Sequence, residues 1–110
     1  MSPTIAERRS YTRFPVSYPI TLVNQAGHAF STQTLDLSDG GALVAFPFDI
    51  APPVGDVLDL DLWVPSSPSS GNETRRVNCQ AKVLRHQDLG QGGKVGIGLQ
   101  FLEPLKLGLQ

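Results

Sequence analysis

Apolar and polar residues alternate with period two along most of the chain. Leu58, Leu60, Leu62 and Val64 alternate with Asp59, Asp61 and Trp63. Val77, Cys79, Ala81 and Val83 alternate with Asn78, Gln80 and Lys82, and Val95, Ile97, Leu99 and Phe101 with Gly96, Gly98 and Gln100. Period two sends successive side chains to opposite faces, so each run predicts a half-buried antiparallel strand. Val16, Tyr18, Ile20 and Leu22 give a fourth strand, which Pro19, having no N–H to donate, pushes toward an edge or a bulge. Residues 30–38 and 42–46 give two weaker strands, and nothing holds helical spacing for more than a few residues. Six short strands at this spacing predict an all-β, six-stranded antiparallel barrel, favoured over a sandwich because closure leaves no long edge exposed.

The segments between strands complete a one-domain plan. Residues 46–56, with Pro47, Pro52, Pro53 and Gly55, read as an irregular crossing, and residues 65–73, rich in serine, as a flexible hairpin loop. Residues 1–15 form a flexible arm, 16–102 the barrel and 103–110 a tail with at most a very short helix.

At 110 residues the chain is long enough to bury a real core. Its net charge of −1 gives no general attraction for nucleic acid or an anionic membrane. Arg8, Arg9 and Arg13 nevertheless sit together in the arm beside one acid, Glu7, so an anionic partner would be met at one place. The single cysteine, Cys79, cannot form an internal disulfide and suits a reducing compartment. With no apolar stretch of about 20 residues and no apolar leader, the expected location is the cytoplasm, or the cytoplasmic part of a membrane protein, without direct membrane insertion.

Two short constellations carry candidate chemistry. In Arg9-Ser10-Tyr11-Thr12-Arg13, an extended arm places both arginines on one face with Cα atoms roughly 13 Å apart. From there their side chains can converge on one ligand, since guanidinium binds phosphate bidentately, binds guanine O6 and N7, and stacks on bases. Taken alone, two exposed arginines are as well explained by a solvated basic arm. The second constellation is Asp36-Leu37-Ser38-Asp39-Gly40-Gly41, between two strands. Asp36 and Ser38, two apart, are expected on one side, where a carboxylate can accept from guanine N1–H and N2–H. Gly40 and Gly41 allow close backbone approach and positive φ. Taken alone, this is an ordinary turn.

Together, in this order and at this separation, the two resemble the PilZ domain, a bacterial receptor for cyclic di-GMP. Arg9 and Arg13 match its Arg-x-x-x-Arg loop; Asp36, Ser38 and Gly41 match its Asp/Asn-x-Ser-x-x-Gly motif; Val95 to Phe101 is similar to its closing strand. The resemblance covers residues 7–102 and is also that of the regulatory domain in cellulose-synthase-type enzymes. It implies a PilZ-type barrel whose arginines wrap bases and phosphates over the rim while Asp36 and Ser38 read a guanine edge. Arg8, before the first motif arginine, implies an intercalated pair of ligands. The implied ligand-binding set is Arg8, Arg9, Arg13, Asp36, Ser38, Gly40, Gly41 and Gly98. The implied function is a receptor that passes second-messenger binding to a protein partner or a covalently linked effector, for example in exopolysaccharide synthesis or motility. A barrel that only binds proteins is the alternative.

Weaker signals add little. Gly96 and Gly98 leave outward positions empty, for a ligand or for a sharp bend. Asp59 and Asp61 share a face without a nucleophile beside them, and Trp63 on that face is one aromatic short of a docking patch. His28, His86 and Cys79 make no recognisable metal site, and no catalytic motif is present, so no enzyme, cofactor or metal is expected. The acidic balance and the lack of neighbouring aromatic platforms argue against single-stranded nucleic acid.

Overall fold

A computed structural model of the chain describes residues 11–66, 73–90 and 92–108. Its strands are β1 (Pro19–Val23), β2 (Ala29–Leu37), β3 (Gly41–Pro47), β4 (Val57–Pro65), β5 (Thr74–Asp88) and β6 (Lys94–Phe101). All neighbours are antiparallel, and the order β1-β2-β3-β6-β5-β4 closes on itself through the pairing of β1 with β4. Among the described residues the one helical turn is a 3₁₀ turn at Phe48–Ile50, in the crossing that leads to β4. Most of the residues assigned to the flexible hairpin loop lie outside the described ones; its ends are joined by the Ser66 N–H, which donates to the Glu73 carbonyl at 2.9 Å.

Alternation directs the packing. Ile20, Leu60, Leu62, Val83 and Ile97 from four strands are each no more than 1 % exposed and meet inside the barrel. Burial of each such side chain contributes about 1.5–3 kcal/mol relative to exposure. At the end of the barrel where β2 begins and β3 finishes, Phe30 and Phe46 stack with ring centroids 4.5 Å apart. They help to line a cleft of about 380 Å³ with Leu22, Leu58 and Pro53. This is the far end from the Asp36–Gly41 turn.

Pro19 departs from expectation. β1 is neither an edge nor bulged, because closure pairs it on both sides. Pro19 is tolerated as the first residue of the strand: it pairs with Gln33 of β2, while the ladder to β4 starts only at Ile20. No helix follows β6 among the described residues; Leu102 to Gly108 instead run back across the end of the barrel that holds the turn, with Leu107 buried in the core.

Candidate functional site

Two β-bulges aim the site. Along β2 the inward parity runs through Phe30, Thr32 and Thr34, and Thr34 is only 1 % exposed. Unbroken alternation would drive Asp36 into the core, where an unpaired carboxylate is costly. The pairing instead slips between Thr34 and Asp36. Leu35 becomes the extra residue and stays largely exposed, Leu37 takes the inward position, and Asp36 turns out. In β5 the inward run Val77, Cys79, Ala81, Val83 would carry Arg85 inside. A second slip, between Val83 and Arg85, makes Leu84 the extra residue and turns Arg85 out.

The two re-aimed residues fall in one row. Asp36 pairs with Leu43, Leu43 with Gly98, and Gly98 with Arg85, so the row crosses β2, β3, β6 and β5 on the outer wall. Three strand spacings make it about 14 Å long. The Arg85 side chain lies over Gly98, its Nη1 2.8 Å from where a β-carbon there would sit. The space expected over Gly98 is thus filled by an arginine, and the space over Gly96 by Leu89 and Gln87. Arg85 Nη2 donates to Gln87 Oε1 at 3.2 Å, which leaves other guanidinium donors for a ligand.

Arg13 reaches the row from the arm. Phe14 and Leu37 exchange two backbone hydrogen bonds of 2.8 and 2.9 Å, which pins the arm to the end of β2. Arg13 therefore stands beside Asp36, with Nη1 3.7 Å from Oδ2. The Arg13 side chain is 57 % exposed and that of Asp36 25 %, so the pair is solvated, contributes at most about 1 kcal/mol, and is readily exchanged for a ligand. Arg8 and Arg9 lie outside the described residues.

The turn after Asp36 differs from the expected geometry in two ways. Ser38 does not stand open beside Asp36: β2 has ended at Leu37, and Ser38 is 6 % exposed. Its Oγ accepts the N–H groups of Gly40 and Gly41, each at 3.1 Å, so the hydroxyl braces the turn. Neither Gly40 nor Gly41 has positive φ. Space is what both positions demand. A β-carbon on Gly41 would collide with the Leu99 carbonyl oxygen, and one on Gly40 would lie 2.6 Å from the Tyr11 ring, which packs over the turn from the arm.

Sequence reasoning missed Arg85 and Tyr11. For Arg85 a signal existed: a cation on the apolar parity of a strand requires either a bulge or the strand's end. Tyr11 carried none, because its contact is made by the course of the arm. Elsewhere, Asp59 and Asp61 are tied into the strand surface by Gln80, Asn78 and Arg76. His86 Nε2 is bonded to the Pro52 carbonyl at 2.7 Å. Among the described residues no group of three or more His, Cys, Asp or Glu side chains is placed to hold a metal ion.

Comparisons with known proteins agree with this architecture. Solved structures with the same fold include the Bacillus subtilis inhibitor of motility MotI (DgrA), at TM-score 0.73 and 22 % identity over 88 % of this chain. The chain spans only 44 % of that protein. The PilZ domain of CeSA from a cellulose-synthesising bacterium matches at TM-score 0.58 and 20 % identity, over 84 % of this chain and 82 % of that one. The PilZ domain of Escherichia coli YcgR, solved with c-di-GMP, matches at 0.62 and 14 % identity, over 87 % and 79 %. Comparison with curated protein sequences gives no match. The PilZ domain profile matches residues 7–108, nearly the whole length, and the chain belongs to the PilZ domain family.

Proposed function

We propose that this domain is a cyclic di-GMP receptor. The observation that carries the reading is the placement of Arg13 3.7 Å from Asp36 on the outer wall, a cation and an acceptor side by side in the two family motifs. Asp36 accepts guanine N1–H and N2–H, an edge that adenine does not offer. Arg9 and Arg13 bind phosphate and stack on base, Arg8 adds charge for a second ligand, and Ser38, Gly40 and Gly41 hold the turn against which the guanine lies. Arg85 serves the other end of the row, over Gly98. The domain works as a regulatory unit rather than a catalyst, in the cytoplasm, passing occupancy to a protein partner or a linked effector. Motility and exopolysaccharide synthesis are the outputs we favour, since MotI is an inhibitor of motility and the CeSA domain comes from a cellulose-synthesising bacterium.

Calorimetric titration tests the reading. The native chain is expected to bind cyclic di-GMP and to prefer it over cyclic di-AMP. Asp36→Ala is expected to lose about 1–3 kcal/mol of that preference, the scale of one good base-edge contact. Equal affinity for the two dinucleotides would remove the role given to Asp36.

A further inference from the structure

The Asp36–Gly41 turn is bonded on a second side, to the segment after β6. The Asp39 carbonyl accepts the Leu105 N–H at 2.7 Å, and the Asp39 carboxylate, through Oδ1, accepts the Leu107 N–H at 3.0 Å. The Gly40 carbonyl accepts the Phe101 N–H at 2.9 Å. Arg75 Nη2 donates to the Lys106 carbonyl at 3.1 Å from β5, and Leu107 is buried in the core with 4 % exposure. The carbonyl and the carboxylate of Asp39 thus hold a strap that places an apolar side chain in the end of the barrel, while the Gly40 carbonyl ties the turn to the last residue of β6.

We infer that Asp39 couples the ligand site to residues 102–108, so that nucleotide and strap stabilise the same form of the turn. The inference rests on the receptor reading above. The atoms used on the two sides are different. The ligand calls on the Asp36 carboxylate, while the buried Ser38 hydroxyl braces the turn by accepting the Gly40 and Gly41 N–H groups. The strap uses Asp39 Oδ1 and the Asp39 carbonyl. Nothing in the turn must break for both sides to be satisfied, so each makes the other's form of the turn more populated. Linkage then requires reciprocity: whatever factor the strap contributes to nucleotide affinity, the nucleotide returns to strap docking. Asp39 is a positioning residue here and touches no nucleotide. Residues 102–108 become the part of the chain that reports occupancy.

Hydrogen exchange and calorimetry on the 110-residue chain test this together. Cyclic di-GMP is expected to slow exchange of the Leu105 and Leu107 amides by about fivefold or more, the lower range of measured site-to-site couplings. Asp39→Ala is expected to weaken nucleotide binding by a similar factor and Asp39→Asn, which keeps an acceptor oxygen at Oδ1, to restore most of it. Leu107→Ala, which loosens the strap without altering the turn, is expected to weaken binding as well, and it decides the matter if Asp39→Ala fails to fold. A purely structural Asp39 would lower the melting temperature and leave affinity unchanged. Nucleotide binding with unaltered exchange at Leu105 and Leu107, and variants within twofold of native affinity, would overturn the coupling. Absence of any binding by the native chain would instead overturn the receptor reading on which the coupling depends.

Discussion

Gly41 and Gly40 are adjacent, yet the structure treats them differently. A methyl on Gly41 meets the Leu99 carbonyl, which is backbone of β6 and cannot turn aside; a methyl on Gly40 meets the Tyr11 ring, which can swing. Gly41→Ala is therefore expected to cost about 1–3 kcal/mol or more in displaced backbone. Gly40→Ala should cost less. Thermal melts should show a drop of several degrees for the first variant, on the usual scale of about 4 °C per kcal/mol or more. A Gly41→Ala chain that melts with the native one would mean that the turn can move away from β6. Cys79 supplies a second test at this scale. Its thiol is pushed up to about 11 from 9.0, first by burial and then by the negative charge of Asp61. The folded chain therefore keeps this proton to higher pH than the unfolded chain does. Stability contributed by the neutral thiol is fully present below pH 9.0 and is lost as pH rises toward 11. Denaturant unfolding at pH 8 and at pH 10.5 should show a larger loss for the native protein than for Cys79→Ser. Parallel losses would remove Cys79 from the pH response.

At the scale of elements, the strands were legible because each buries one face, and burial writes itself into the sequence as alternation. The runs from Leu58 to Val64 and from Val95 to Phe101 coincide with β4 and β6 almost residue for residue. The bulges were not legible as such, because alternation can be read only as unbroken or broken. The break at Thr34-Leu35-Asp36 looks like a strand with weak pattern, and the break at Val83-Leu84-Arg85 looks like a strand that has ended, though β5 continues to Asp88. Those two breaks decide which way Asp36 and Arg85 face. Asp36 thus faces outward for a reason the pattern did not contain, and Arg85, outside both motifs, was passed over. Ser38 shows the complementary error. Sequence spacing put it beside Asp36, but spacing loses its meaning once the strand ends at Leu37. If the row is one site, Arg85→Ala should weaken cyclic di-GMP binding about tenfold, as loss of one charge-assisted contact does, with little change in melting temperature. Unchanged affinity would confine the site to the Arg13–Asp36 end of the row.

For the whole molecule the question is charge. The net charge of −1 means that a dianionic ligand is held by local cations against the average field of the protein. Arg13 and Arg85 flank the row across the outer wall, and Arg8 and Arg9 precede Arg13 in the arm. Two stacked cyclic di-GMP molecules carry four phosphate charges, which these four arginines balance, whereas three would leave one uncompensated. We therefore expect two ligands per native chain and one for Arg8→Leu. The single ligand of the variant should keep its preference for guanine, because Asp36 is untouched. Binding of the pair should also weaken more steeply with salt than binding of the single ligand, since more phosphate–cation contacts are screened. Calorimetry on both proteins at low and at moderate ionic strength reads stoichiometry and salt dependence in one series. A native ratio of one ligand per chain, unaltered by Arg8→Leu and with the same salt dependence, would reduce Arg8 to a solvated charge in the arm.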